Sequence, residues 1–240
     1  MFLLVHGAWH GAWCWSRLKD QLTERDALST AVDLPGRGAQ PAPPGALTLD
    51  AYADRVVDLI AHIDEPVTLV GHSLGGATIS TVAERVPERL ACLVYLCALL
   101  QPSGATPADL HANDPDSGLL QAVELADDGL TTSIRADAAG ELFFGDCSDD
   151  DTAWAVGRLC PEPIGPAMSS IVTTSERWGS VPRAYIRCNE DRAIRPAEQD
   201  RMVAEVGADV VVELASSHSP FLSQPSRLAD ALIGLRDGLA

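Results

Sequence analysis

A serine flanked two residues either side by glycine, Gly71-His72-Ser73-Leu74-Gly75, follows the apolar run Val67-Thr68-Leu69-Val70 and leads into a helix-like stretch. This G-x-S-x-G spacing suits a nucleophile carried on a sharp strand-to-helix turn. Such a turn strains the backbone of the serine and crowds strand against helix, so the neighbours at both glycine positions must be small. It leaves the hydroxyl in open space at a helix N-terminus, where peptide dipoles favour developing negative charge. The plainer alternative is a small polar residue in an ordinary tight turn. The strand signal before it and the helix signal after it favour the nucleophile.

A serine nucleophile needs a base. Among six histidines, His218 follows the last apolar run and precedes the last amphipathic stretch, in Ser216-Ser217-His218-Ser219-Pro220-Phe221. Loops at the ends of parallel strands gather at one edge of a sheet, so separation along the chain does not keep it from Ser73. His6 and His72 read as supports for loop geometry. His10 reads as part of a loop-to-helix entry, with pocket lining as its alternative, and His62 and His111 as surface residues. The base in turn needs an orienting carboxylate. Asp191, in Asn189-Glu190-Asp191-Arg192, gives the chain order serine, acid, histidine, and Glu190 is its rival. The connection following Leu99 offers no acid before Asp109. Two backbone donors must hold the oxyanion: the N–H of Leu74, directly after the serine, and that of Ala8, in Val5-His6-Gly7-Ala8-Trp9. Gly7 is expected to supply an unusual backbone angle there. Each such donor stabilises a transition state by about 3 kcal/mol.

These residues require a scaffold that brings distant loops together. Near-continuous apolar runs predict strands over 2–5, 30–34, 67–70, 93–99, 184–188 and 210–214, of the kind buried on both faces. Amphipathic stretches predict helices over 15–24, 49–63, 77–86, 196–206 and 225–235. Thr48 and Asp50 are candidate caps for the second, and Pro225 suits the first turn of the last. This alternation predicts a parallel sheet covered by helices on both faces. The rhythm breaks after about residue 100. That stretch carries Pro102, Pro107, Pro115, Pro161, Pro163 and Pro166 and is too long for one structureless loop. The expected division is a core of 1–100 and 182–240 with an inserted, mostly helical lid over 101–181.

Composition excludes several other roles. The chain has 240 residues, suited to one core, and a net charge of −17, with Lys19 its one lysine. Phosphate backbones and anionic lipid would repel it, so neither nucleic acid nor a membrane surface is an expected partner. No apolar run is long enough to span a bilayer, and the first residues read as a strand rather than a signal peptide, which points to the cytoplasm. Cys14, Cys92, Cys97, Cys147, Cys160 and Cys188 show no metal-ligand spacing and read as free thiols of a reducing compartment. Neither a metal nor an organic cofactor is implied.

The stretches "FLLVHGAWHGAWCW", "LVGHSLGGATIS", "GSVPRAYIRCNEDRAI" and "HSPFLSQPSRLADAL" resemble the plant methylesterase and hydroxynitrile lyase family of α/β-hydrolases. The resemblance implies the α/β-hydrolase fold: a compact core with about six parallel strands, flanked by helices, under a helical lid. It implies Ser73, Asp191 and His218 as catalytic triad, Ala8 and Leu74 as oxyanion donors, and a homodimer as one oligomeric option. The lid matches the family poorly.

Within the family, cyanogenic lyases carry a threonine after the first-loop histidine and a lysine after the catalytic histidine. Gly7 and Ser219 stand at those positions here, so the expected activity is that of a carboxylic ester hydrolase. It would act on a small hydrophobic ester, a methyl ester or similar, through an acyl-serine. A lyase-like or tailoring reaction in the same pocket, or a non-catalytic ligand-binding protein on the same scaffold, are the alternatives. Trp9, His72, Trp154, Ile194, Ser219, Phe221 and Leu222 are candidate substrate contacts, with core or loop packing as the alternative for the apolar ones. Trp9 stands where the family usually has a small residue or cysteine, and would narrow the pocket or stack on an aromatic acyl group.

Overall fold

The computed structural model describes residues 1–38, 40, 42–110, 114 and 117–239. His111 and Pro115 lie outside the described residues.

Six parallel strands form the central sheet: β1 (Phe2–Val5), β2 (Ser29–Val32), β3 (Val67–His72), β4 (Leu90–Leu96), β8 (Arg183–Cys188) and β9 (Val210–Leu214), in the order β2-β1-β3-β4-β8-β9. One register row crosses the whole sheet, Ala31, Leu4, Val70, Val94, Ala184 and Val210. β1 and β3 are buried along their entire length, as their unbroken apolar runs require, and each fully buried Val, Leu or Ile there contributes about 1.5–3 kcal/mol. The edge strands differ from the expectation of two buried faces. β9 exposes Val210 and Val211, because an outer strand has helix cover on only part of its surface.

The flanking helices follow the amphipathic stretches: α1 (Ser16–Thr23), α2 (Leu49–Ile60), α3 (Gly75–Arg85), α8 (Pro196–Val206) and α10 (Pro225–Leu239), the last preceded by the short α9 (Pro220–Ser223). Thr48 caps α2, its hydroxyl accepting from Ala51 N at 3.2 Å, while Asp50 sits in the first helical turn. Pro225 opens α10, where its missing N–H costs no hydrogen bond. β4 ends at Leu96, short of the expected 99, because Cys97 takes φ +35° and breaks the extended chain.

The segment between β4 and β8 contains short helices, α4 (Gly118–Ala122), α5 (Ala136–Phe143), α6 (Asp149–Val156) and α7 (Ile164–Met168). It also contains a three-stranded antiparallel sheet of β5 (Val123–Leu125), β6 (Thr131–Ile134) and β7 (Glu162–Pro163), which the apolar runs of the sequence did not signal. The hairpin turns through Asp127-Asp128-Gly129, with Gly129 at φ +68°. Asp-Gly between strand-like runs is a hairpin signal.

Candidate active site

All six strands run the same way, so the loops leaving β1, β3, β8 and β9 meet at one edge. Ser73 sits between β3 and α3 with φ +53°, a left-handed conformation that a non-glycine residue rarely adopts. The neighbouring glycines are required by space. A Cβ on Gly71 would lie 2.6 Å from the Gly75 carbonyl oxygen, and one on Gly75 would lie 2.7 Å from that of Val5. Gly7 is also required by space, not by backbone angle as the sequence suggested. Its φ is ordinary, but a Cβ there would sit 2.7 Å from Ser73 Cβ. The positive φ of this loop falls instead on Trp9, at +60°.

His218, in the loop after β9, donates from Nδ1 to Asp191 Oδ2 at 2.7 Å. Both side chains are buried. Asp191 Oδ1 accepts from the backbone N–H groups of Ala193 at 2.8 Å and Ile194 at 2.9 Å, and Oδ2 also accepts from Gln199 Nε2 at 3.2 Å. Four donors therefore satisfy and orient this carboxylate. Its rival Glu190 is exposed. Gln199 is fully buried on α8 and also bonds Cys188 and Ile194, locking the Asp191 loop to the helix. Nothing in the sequence around it distinguishes Gln199 from any other residue in a first helical turn.

His72 stands behind Ser73. Its Nε2 donates to the His218 carbonyl at 2.9 Å, which fixes the tautomer and leaves Nδ1 without a partner. The Cys97 thiol reaches the same carbonyl at 3.4 Å. Burial, with the nearby His218 and His10 adding to it, holds His72 well below the ordinary histidine range, so it is neutral. Burial likewise brings His6 down to about 3 and His10 to about 4. Ser73 Oγ makes no hydrogen bond to the described residues.

Ser73 opens on a cavity of about 190 Å³, more than ten times the roughly 15 Å³ that lodges one water. Ala8 and Leu74 lie on the same wall, and neither backbone N–H is engaged with another described residue. Trp9 and Ile194 also line the cavity. The other expected contacts do not. His72, Ser219, Phe221 and Leu222 are buried in the core beneath it, Phe221 packing on Trp15 at 5.0 Å and on His72 at 5.0 Å. Trp154 packs against Trp13 at 5.3 Å and under Arg158. Most of the wall comes from the inserted segment, including Leu110, Leu119, Val123, Ile164 and Met168. Sequence periodicity did not reveal these, because they come from short elements of mixed type. Among the described residues, the polar side chains on the wall are Ser73, Thr132 and Glu162, and Glu162 is paired with buried Arg37.

Comparison with known proteins narrows what this edge of the sheet is. The model of the alpha/beta hydrolase family matches residues 2–231. Polyneuridine aldehyde esterase of Rauvolfia serpentina is 31% identical, the alignment covering 98% of this chain and 95% of that one. Methylesterase 2 of Arabidopsis thaliana is 28% identical over 98% of this chain and 95% of its own. A pyrethroid hydrolase from Sphingobium faniae JZ-2 superposes with a TM-score of 0.89 at 29% identity, covering 98% of this chain and 96% of its own. The chain belongs to the alpha/beta hydrolase family. Within that family it is of the methylesterase type, a serine hydrolase of the esterase class. Among the described residues no helix is long and apolar enough to cross a membrane.

Proposed function

We propose that the protein hydrolyses a small, uncharged, hydrophobic carboxylic ester through an acyl-serine on Ser73. The observation that carries this reading is the shared wall: Ser73, at a strained turn, faces an apolar cavity beside two unengaged backbone amides, Ala8 and Leu74. In the first step His218 Nε2 takes the Ser73 proton as Oγ adds to the ester carbonyl. The two amides hold the resulting oxyanion, and Asp191 stabilises the imidazolium through Nδ1. His218 then protonates the departing alcohol, and water repeats the sequence on the acyl-enzyme. An esterase is named among the relatives, and this supports the same reaction here.

The apolar wall favours a neutral substrate. Among the described residues no Lys, Arg or His side chain lines it to neutralise a free carboxylate, and the −17 net charge repels anions at long range. Six unpaired thiols fit a reducing compartment such as the cytoplasm. Mixing the protein with p-nitrophenyl acetate should release nitrophenolate, and Ser73→Ala should lower kcat by up to about a millionfold. A wild-type protein that turns over none of a panel of short neutral esters, and that a fluorophosphonate leaves unlabelled, overturns the reading. Carbon–carbon cleavage of mandelonitrile without a trapped acyl-enzyme would replace it with the lyase alternative.

A further inference from the structure

Trp9 is a bulky residue in a left-handed conformation, φ +60°, directly after Ala8. Such a backbone persists only where its surroundings hold it. Here the inserted segment does so at four points. The Trp9 N–H donates to Glu162 Oε2 at 2.9 Å, its carbonyl accepts from Cys160 N at 3.0 Å, its indole Nε1 donates to the Thr132 carbonyl at 3.2 Å, and its ring stacks on Phe143 at 5.9 Å. Glu162 is the hub. Its Oε1 accepts from Tyr52 Oη at 2.9 Å, and Oε2 accepts from Arg37 as well as from Trp9. Arg37 also donates from Nε to the His10 carbonyl at 3.1 Å, so the ion pair grips the loop on both sides of the Trp9–His10 peptide. Three donors converge on a buried side chain, which calls for a group that only accepts.

We propose that Glu162, braced by Arg37, is a positioning residue for oxyanion stabilisation: it holds Trp9 in its left-handed conformation and thereby sets the aim of the adjoining Ala8 N–H. The inference rests on the acyl-transfer reading of the site. Glu162→Met keeps the bulk of the side chain but removes both acceptor oxygens, so the Trp9 N–H loses its partner. Because the oxyanion exists only in the transition state, the loss should appear in kcat and not in KM.

The test uses the full-length protein, a p-nitrophenyl ester and an aryl trifluoromethyl ketone. The Ser73 hydroxyl adds to the ketone carbonyl to form a hemiketal, its proton passing to His218 and the oxyanion to the amides. Glu162→Met should lower kcat about 10–100-fold, leave KM within threefold, and weaken ketone binding by the same factor as kcat. Should that variant fail to fold, Arg37→Met combined with Glu162→Met, which buries no unpaired charge, carries the test. The Trp9 N–H still lacks its acceptor there, so kcat should again fall about 10–100-fold with KM little changed. A folded Glu162→Met protein, or a folded double variant, with kcat and ketone affinity within twofold of wild type overturns the inference. A wild-type protein that neither hydrolyses the ester nor binds the ketone removes the acyl-transfer reading itself, and this inference with it.

Discussion

Gly7 shows how little room Ser73, the proposed nucleophile, has. A side chain at this position would begin 2.7 Å from Ser73 Cβ and 3.0 Å from His72 Nδ1. Gly7→Ala must therefore push the serine or the loop aside. It should lower kcat/KM by at least about tenfold while changing the thermal midpoint by only a few degrees, since a misplacement of 1 Å alone can cost about a hundredfold. Steady-state kinetics beside a melting curve separates the two effects; unchanged kinetics in a folded variant would show the space to be unimportant. At this scale the sequence was most legible where a short motif fixes backbone shape. Ser73 and the glycines around it are readable for that reason, and Asp191 and His218 follow from their place after strands. Glu162 and Arg37 were not readable. They lie 125 positions apart, and an acidic residue in a proline-rich segment looks like any solvated charge. The four expected contacts that proved to be core residues, His72, Ser219, Phe221 and Leu222, differ for a related reason: nearness to Ser73 or His218 in the chain does not say which face of the loop a side chain occupies.

Among the elements, α3 is seated unusually close to the chain leaving β4. A Cβ on Gly76 would lie 2.5 Å from the Leu99 carbonyl oxygen and 2.8 Å from Leu99 N, both backbone atoms that cannot swing away. Gly76→Ala should destabilise the protein by about 1–3 kcal/mol, read as a lower urea midpoint at unchanged slope, despite the better helix propensity of alanine. A midpoint equal to or above wild type would contradict this packing. The six core strands and their covering helices were legible because hydrophobic runs and amphipathic periods persist over several residues each. Their ends were less so: β4 stops where Cys97 turns left-handed, which no propensity reports. The hairpin from β5 to β6 had a readable turn in Asp127-Asp128-Gly129. Its flanking strands are only 3 and 4 residues long, too short for alternation to stand out.

For the whole molecule, three buried histidines make folding sensitive to acid. Burial holds His6 near 3, His10 near 4 and His72 well below the 6.5 of an exposed imidazole. The unfolded chain therefore binds protons that the folded one refuses. The stabilisation is complete above pH 6.5 and is lost as pH falls from there toward the folded values. Each histidine contributes about 1.4 kcal/mol per pH unit within that window, and the three together about 4 kcal/mol per pH unit. The urea midpoint should fall steeply between about pH 6 and 4.5, with calorimetric uptake of about two to three protons on unfolding near pH 5. A midpoint that stays flat over that range would mean the histidines are not excluded from protonation. Composition had made the charge of the molecule plain, but not this cost, because a histidine in a sequence carries no mark of its burial.

The inserted segment sends a separate carboxylate to three of the four loops at this edge of the sheet, those leaving β1, β8 and β9. Asp114 meets Arg195 beside the Asp191 loop, Asp146 takes the Ser217 hydroxyl beside His218, and Glu162 holds Trp9. Roof and floor are thus stitched at three corners. A graft that exchanges this roof for one of another shape, to admit a bulkier ester, must bring all three stitches across, or the machinery underneath will inherit a new substrate and lose its alignment.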